Sequence, residues 1–263
     1  MRQLKPGVVG VLVLMMQQAA FQSGAVAEAI KPELKSVHPA SCQKATFKIA
    51  LDIGHGRTRP GATSARGHSE FSYNLALGRV ARLALVTAGF SGTFLINEDG
   101  ASLPLLRRPE IAREQGASLF IALHHDSVQP QYLSTWMFDG TTRPYSDRFS
   151  GYGIFTSVSS AWAGPSLSFA EELGRSLKAR GFRPSLHHAE PIPGEGRVLL
   201  NPSLGIYRFD ELAVLRGAKM PALLLEAGVI VNRDEEKAIQ DGTYHSKVAA
   251  ALVSAAEQFC ATR

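Results

Sequence analysis

Between residues 47 and 259 short apolar runs alternate with longer segments whose apolar positions recur at helical spacing. Residues 47–51 read as a buried strand emptying into a Gly-rich loop at 54–67. From Glu70 to Thr87, Phe71, Leu75, Val80, Leu83 and Val86 keep roughly helical spacing, and Gly89 supplies a stop. Residues 93–97 predict a second strand, 105–115 a second helix closed by Gly116, and 119–123 a third strand. The pattern continues with a strand at 153–157, a helix at 167–179 followed by Gly181, a strand at 221–225 and a last helix at 244–259. Such alternation predicts an α/β fold in which a single, mainly parallel sheet carries helices on both faces. Ligands of such sheets bind beyond the carboxyl ends of the strands. Two Pro-, Gly- and Ser-rich stretches, 129–150 and 183–201, break the alternation and are expected to be binding loops or lids.

The first residues follow another pattern. Arg2 and Lys5 precede an apolar run from Val8 to Met16, Gln17 and Gln18 break it, and Ala25-Val26-Ala27 supplies small residues of the cleavage type. This predicts a secretory signal peptide over residues 1–27, then a polar leader over 28–44 and a catalytic domain over 45–263. The run is well short of the roughly 20 residues a membrane span requires, so no membrane span is expected. Export leads to a periplasmic or extracellular protein, expected to be a monomer. Cleavage after Ala27 removes Arg2 and Lys5 and lowers the formal charge of +5 by two. That excess is too small to imply a nucleic-acid partner.

Composition adds little: 45% hydrophobic and 19% charged residues, 24 Gly and 14 Pro describe a folded, enzyme-sized chain. The two cysteines matter more. In an oxidising compartment Cys42, before the first strand, and Cys260, in the last helix, either tie the termini together or remain separate thiols.

Candidate chemistry stands where the strongest strands end. The first delivers Asp52, His55 and Gly56, the third His124, His125 and Asp126, and the strand at 221–225 delivers Glu226. Glu70, at the start of the first helix, lies across the Gly-rich loop from His55 and falls on the same rim. Two histidines, one carboxylate and an open fourth position form the ligand set of hydrolytic zinc sites. A further carboxylate that does not bind metal is then free to act as a base. No Gly-x-Ser-x-Gly elbow, Cys/His pair or Gly-rich phosphate motif offers a competing chemistry.

Several separated segments then resemble one family in order and spacing: 51–56 (LDIGHG), 60–62 (PGA), Glu70 with Asn74-Leu75, Leu105 with Arg108 and Ile111-Ala112, 119–124 (LFIALH), and Leu215-Arg216 with 220–226 (MPALLLE). The chain resembles the zinc-dependent N-acetylmuramoyl-L-alanine amidases of the amidase_3 family from about residue 47 to 258. The resemblance implies His55, Glu70 and His124 as Zn2+ ligands and Glu226 as the catalytic carboxylate, on a twisted sheet of about six strands flanked by helices. It implies hydrolysis of the amide between N-acetylmuramic acid and L-alanine in peptidoglycan. Arg57 and Arg59 replace the family's usual Gly and acidic residue, Asn97-Glu98 its Thr-Arg, and His125 a small residue. These departures bear on substrate fit, not on the four central positions. Activator-controlled members carry a long helical plug after the strand matching 153–157; here 159–165 alone reaches the next helix, so no obligatory activator is expected.

Competing readings remain for individual residues. His55 alone reads as a solvated loop histidine, and Glu70 alone as a carboxylate favoured by the helix dipole. His68 and His125 are read as non-ligands, the latter because successive strand side chains face opposite ways. Asp52 either orients a ligand histidine or caps a turn. Arg216 is a substrate-carboxylate clamp or a structural ion pair. His187 and His188, with Glu190, are expected to contact substrate or belong to a lid, although His-rich tracts also bind metal. For the whole chain, a non-catalytic peptidoglycan-binding or regulatory protein and a zinc peptidase cutting within the stem peptide are the alternatives.

Overall fold

The computed structural model describes residues 42–263; the expected signal peptide and most of the leader lie outside the described residues. Strands and helices are numbered in chain order. β1 (Ile49–Ile53) is buried throughout and lies between β2 (Phe94–Ile96) and β3 (Leu119–Asp126), parallel to both. β3 pairs in parallel with β9 (Ala222–Val229). Beyond β9 come β6 (Gly153–Thr156), antiparallel to it, β8 (Ile206–Arg208), parallel to β6, and β7 (Leu199–Asn201), antiparallel to β8. The sheet therefore has seven strands, in the order β2-β1-β3-β9-β6-β8-β7. That is two more than the five the apolar pattern shows, because β7 and β8 are each only three residues long and lie at the end of the irregular stretch 183–201 and just after it. The other irregular stretch, 129–150, contains a separate hairpin, β4 (Ser134–Phe138) with β5 (Thr141–Tyr145). Neither strand of the hairpin has a fully buried residue, so their sequence carries no buried alternation to betray them.

Alternate side chains of the central strands enter two separate cores, as the two-residue period of a strand requires. Ile49, Leu51, Ile121, Leu123, Leu223 and Leu225 face α1 (Glu70–Thr87), α3 (Ala163–Ala179) and α6 (Gly242–Ala261). Ala50, Phe120, Ala122 and Leu224 face α2 (Arg107–Glu114) and α4 (Ala213–Gly217). α5 (Arg233–Gln240) went unread because its sequence, RDEEKAIQ, is mostly charged; Asn232 caps it by accepting from the backbone N–H groups of Asp234 and Glu235.

α1 corrects the apolar face that periodicity suggests. Phe71 is buried as that spacing predicts, but Leu83 is 68% exposed, and the inward stripe runs on through Glu70, Asn74, Leu77, Gly78, Ala81 and Leu85. Small residues sit among the leucines of this face: a Cβ on Gly78 would meet Ile53 Cδ1 at 2.2 Å, so a larger residue there would push the Ile53 side chain aside. This rotation carries Glu70 and Asn74 inward over the strand ends.

Cys42 and Cys260 form a disulfide that joins the segment before β1 to the end of α6, 218 positions apart. In the chain-entropy model a loop this long gives at most about 5 kcal/mol. Replacing both cysteines by alanine is expected to lower stability by about 2–5 kcal/mol, read as a reduced midpoint in chemical denaturation. Among the described residues no helix is long and apolar enough to cross a membrane.

Candidate metal centre

β1 delivers the chain into its loop at Gly54, and His55 follows with φ of +66°, a left-handed conformation costing a non-glycine residue about 1 kcal/mol or more. Two buried side chains hold it there. Arg108 Nη2 and Asn97 Nδ2 each donate to the His55 carbonyl at 2.6 Å, and Arg108 Nη1 and Asn97 Nδ2 also reach the Ile53 carbonyl at 2.6 and 3.0 Å. Arg108 is in turn anchored by Asp52 Oδ1 at 2.8 Å. Asp52 thus does orient a candidate ligand, through Arg108 and the backbone rather than through the imidazole. Arg108→Lys keeps Asp52 paired but loses the planar fork. It is expected to weaken metal binding by about 10–100-fold, as disturbed outer-shell partners do, measured by competition with a chromophoric chelator.

Glu70 enters from the first position of α1 and is 4% exposed. Its Oε2 lies 2.9 Å from His55 Nε2, and its Oε1 lies 3.0 Å from His124 Nδ1. The Ala62 N–H donates to Oε2 at 3.1 Å and Asn74 Nδ2 to Oε1 at 3.1 Å. Burial opposes the charge, but hydrogen bonds with His124 and His55 prevail and hold this carboxyl well below the usual range. Glycine permits the crowding: a Cβ on Gly61 would lie 2.4 Å from Glu70 Oε2, and one on Gly54 would strike the His124 ring at 2.4 Å.

His124 lies within β3, not just after it, and stands directly opposite Glu226 on β9. The two strands run further than their apolar cores suggest because pairing continues past the polar positions, His124 with Glu226 and Asp126 with Val229. One ligand atom each from His55, Glu70 and His124 lie within 4.8 Å of one another. Glu226 Oε2 is buried without a hydrogen-bond partner. Burial pushes its carboxyl well above the usual carboxylate range, and the charges of Asp126 and Glu70 add to the shift. A cleft of about 680 Å3 opens beside the group, with Arg59, Leu105, Arg108 and Val214 in its walls together with the two histidines.

The remaining sequence candidates fall elsewhere. His125 points to the opposite face of β3, buried, with Nδ1 2.8 Å from Asn74 Oδ1, and His68 is exposed. Arg216 lies on α4 with its side chain 61% exposed and a loose partner in Glu211 at 3.4 Å. His187 and His188 occupy a single turn of 3-10 helix with both side chains enclosed, turned toward Asp126 and away from solvent. Of the positioning pair, the sequence singles out Asp52, whereas Arg108 stands in a segment that resembles the family with no role assigned to it.

The family profile described as N-acetylmuramoyl-L-alanine amidase, Amidase_3, matches residues 49–258. The chain belongs to this family. Among curated amidases of this kind, it is 26% identical over 223 residues to N-acetylmuramoyl-L-alanine amidase AmiC of Neisseria meningitidis, covering 81% of this chain and 53% of the relative. It is 22% identical over 224 residues to AmiA of Escherichia coli, covering 78% and 73%. The chain thus spans about half the length of the AmiC relatives it matches. Solved amidases share the fold: Ami1 of Mycobacterium smegmatis superposes with a TM-score of 0.62 at 20% identity, covering 83% of this chain and 98% of that one. The catalytic domain of CwlV from Bacillus (Paenibacillus) polymyxa does so with a TM-score of 0.60 at 21% identity, covering 82% and 99%.

Proposed function

We propose that this Amidase_3 chain hydrolyses the amide between N-acetylmuramic acid and the L-alanine of the stem peptide in peptidoglycan, using Zn2+. The observation that carries the reading is the meeting of His55 Nε2, Glu70 and His124 Nδ1 beside a buried, unpartnered Glu226 carboxyl. Two imidazole nitrogens and a carboxylate suit zinc, and the amides of Ala62 and Asn74 that brace Glu70 give the set its outer support. Bound there, zinc supplies Lewis-acid polarisation of a carbonyl and makes water more acidic.

The chain's own groups supply the rest. Glu226 takes the proton of the attacking water on its carboxylate and returns it to the departing alanine amine, so no covalent intermediate with the protein is needed. Its Oε2 is buried, which shields a proton held there from bulk solvent. The cleft beside His55 and His124 receives the substrate, with Arg59 placing a positive charge in its wall. Arg216, exposed and lightly held, is proposed to engage a stem-peptide carboxylate.

Export to the periplasm or the medium follows the signal peptide proposed for residues 1–27, and the Cys42–Cys260 bridge fits an oxidising compartment. Residues 157–162 alone connect β6 to α3, which supports activity without an activator. Digestion of purified cell-wall sacculi tests the reading. Intact free stem peptides, released without a second protein and suppressed by chelator, are expected. Stems cut internally would make the chain a peptidase, and no release would make it a binding protein.

A further inference from the structure

Past His124, β3 continues two residues to Asp126, which meets a second pair of imidazoles. We propose that Asp126, His187 and His188 form a second binding site for a divalent transition metal, distinct from the His55–Glu70–His124 group. His187 Nε2 and His188 Nε2 lie 3.3 and 2.8 Å from the same oxygen, Asp126 Oδ2, and one ligand atom from each residue falls within 4.8 Å of the others.

The opposite edge of each ring is already engaged. His187 Nδ1 is 2.8 Å from Ser185 Oγ, and His188 Nδ1 is 2.9 Å from Glu195 Oε2, which also accepts, through its other oxygen, from Gln129 Nε2 at 2.9 Å. Asp126 Oδ1 accepts from the Ser127 N–H at 2.8 Å. Metal-binding histidines are held in this way, one nitrogen fixed by a hydroxyl or carboxylate and the other presented to the ion. Phe149 stacks on His187 and Phe155 meets His188 edge-on, so neither ring is free to turn away.

A metal-free arrangement accounts for only half of this. A protonated His188 bridging Asp126 and Glu195 satisfies that ring completely. It leaves His187 Nε2 without a hydrogen-bond partner, on a residue 2% exposed. Buried polar atoms of this kind are seldom left unmatched, and a cation shared by the two Nε2 atoms and Asp126 Oδ2 removes the discrepancy. Two imidazoles and a carboxylate select a borderline metal such as Zn2+, for which Co2+ is a spectroscopic substitute.

The experiment counts Co2+ bound per full-length chain by equilibrium dialysis and records its visible absorption. Wild type is expected to bind two equivalents, and both His55→Ala and the double variant His187→Ala/His188→Ala one each, with different spectra. Asp126→Asn, which keeps the size and hydrogen-bonding capacity of the side chain, should weaken one of the two sites at least tenfold and covers the case in which the double variant fails to fold. One equivalent in wild type, lost in His55→Ala and kept in the double variant, overturns the second site and leaves the first. One equivalent kept in His55→Ala and lost in the double variant supports the second site and overturns the first. No binding overturns both.

Discussion

Glu226→Gln is expected to retain its metal and lose turnover by about 10^2–10^4-fold, the range removed with a general acid–base group. Hydrogen bonding distinguishes this carboxyl from the proposed ligands. It projects from β9 opposite His124, yet the charge on Glu70 is bonded to both histidines whereas Glu226 Oε2 has no partner. A buried carboxyl without a hydrogen bond does not stabilise a fold, so its presence between Asp126 and Glu70 is costly unless it handles protons. Glutamine has the same shape and no exchangeable acid. The variant should therefore fold about as stably as wild type, since Oε2 has no hydrogen bond to lose, and its zinc content by elemental analysis should be unchanged. Turnover near the wild-type rate on sacculi would refute the role, and loss of zinc would make Glu226 a ligand.

The parts of this site legible in sequence are those whose chemistry is written in residue type and position. His55, Glu70, His124 and Glu226 are polar groups at the margins of apolar runs, and a parallel arrangement of β1, β3 and β9 brings such margins to one edge. What escaped depends on packing. The inward face of α1 alternates Leu77 and Leu85 with Gly78 and Ala81, small residues that a hydrophobic count overlooks. The direction of β6 relative to β9 is invisible because a fully buried four-residue strand has no polarity in its side-chain pattern. Arg108 stands as an ordinary helical arginine in sequence; only its depth, with Asp52 on one side and the His55 carbonyl on the other, reveals its part. Asp126 carried a readable signal, since it falls two positions after His124 and strand alternation puts both on one face. Its partners lie 61 and 62 positions onward, inside a stretch with no periodicity at all.

His55→Ala should abolish both zinc retention and hydrolysis at the first group, with affinity reduced by more than the roughly 10–100-fold that outer-shell partners contribute. His55 is the most exposed of the three side chains, at 32%, and so would be a poor choice for a ligand if its ring were free. Its backbone is instead held in a left-handed conformation by Arg108 and Asn97. That constraint has a purpose only if the ring must be aimed, and the Glu70 oxygen 2.9 Å away is its target. Alanine leaves those backbone hydrogen bonds intact and removes the imidazole alone. The space vacated adjoins the cleft of about 680 Å3, so added imidazole can reach it. Partial recovery of zinc and of stem-peptide release with millimolar imidazole is therefore expected for His55→Ala. A variant inactive through misfolding would not respond, and one that keeps full zinc and activity without imidazole would remove His55 from the site.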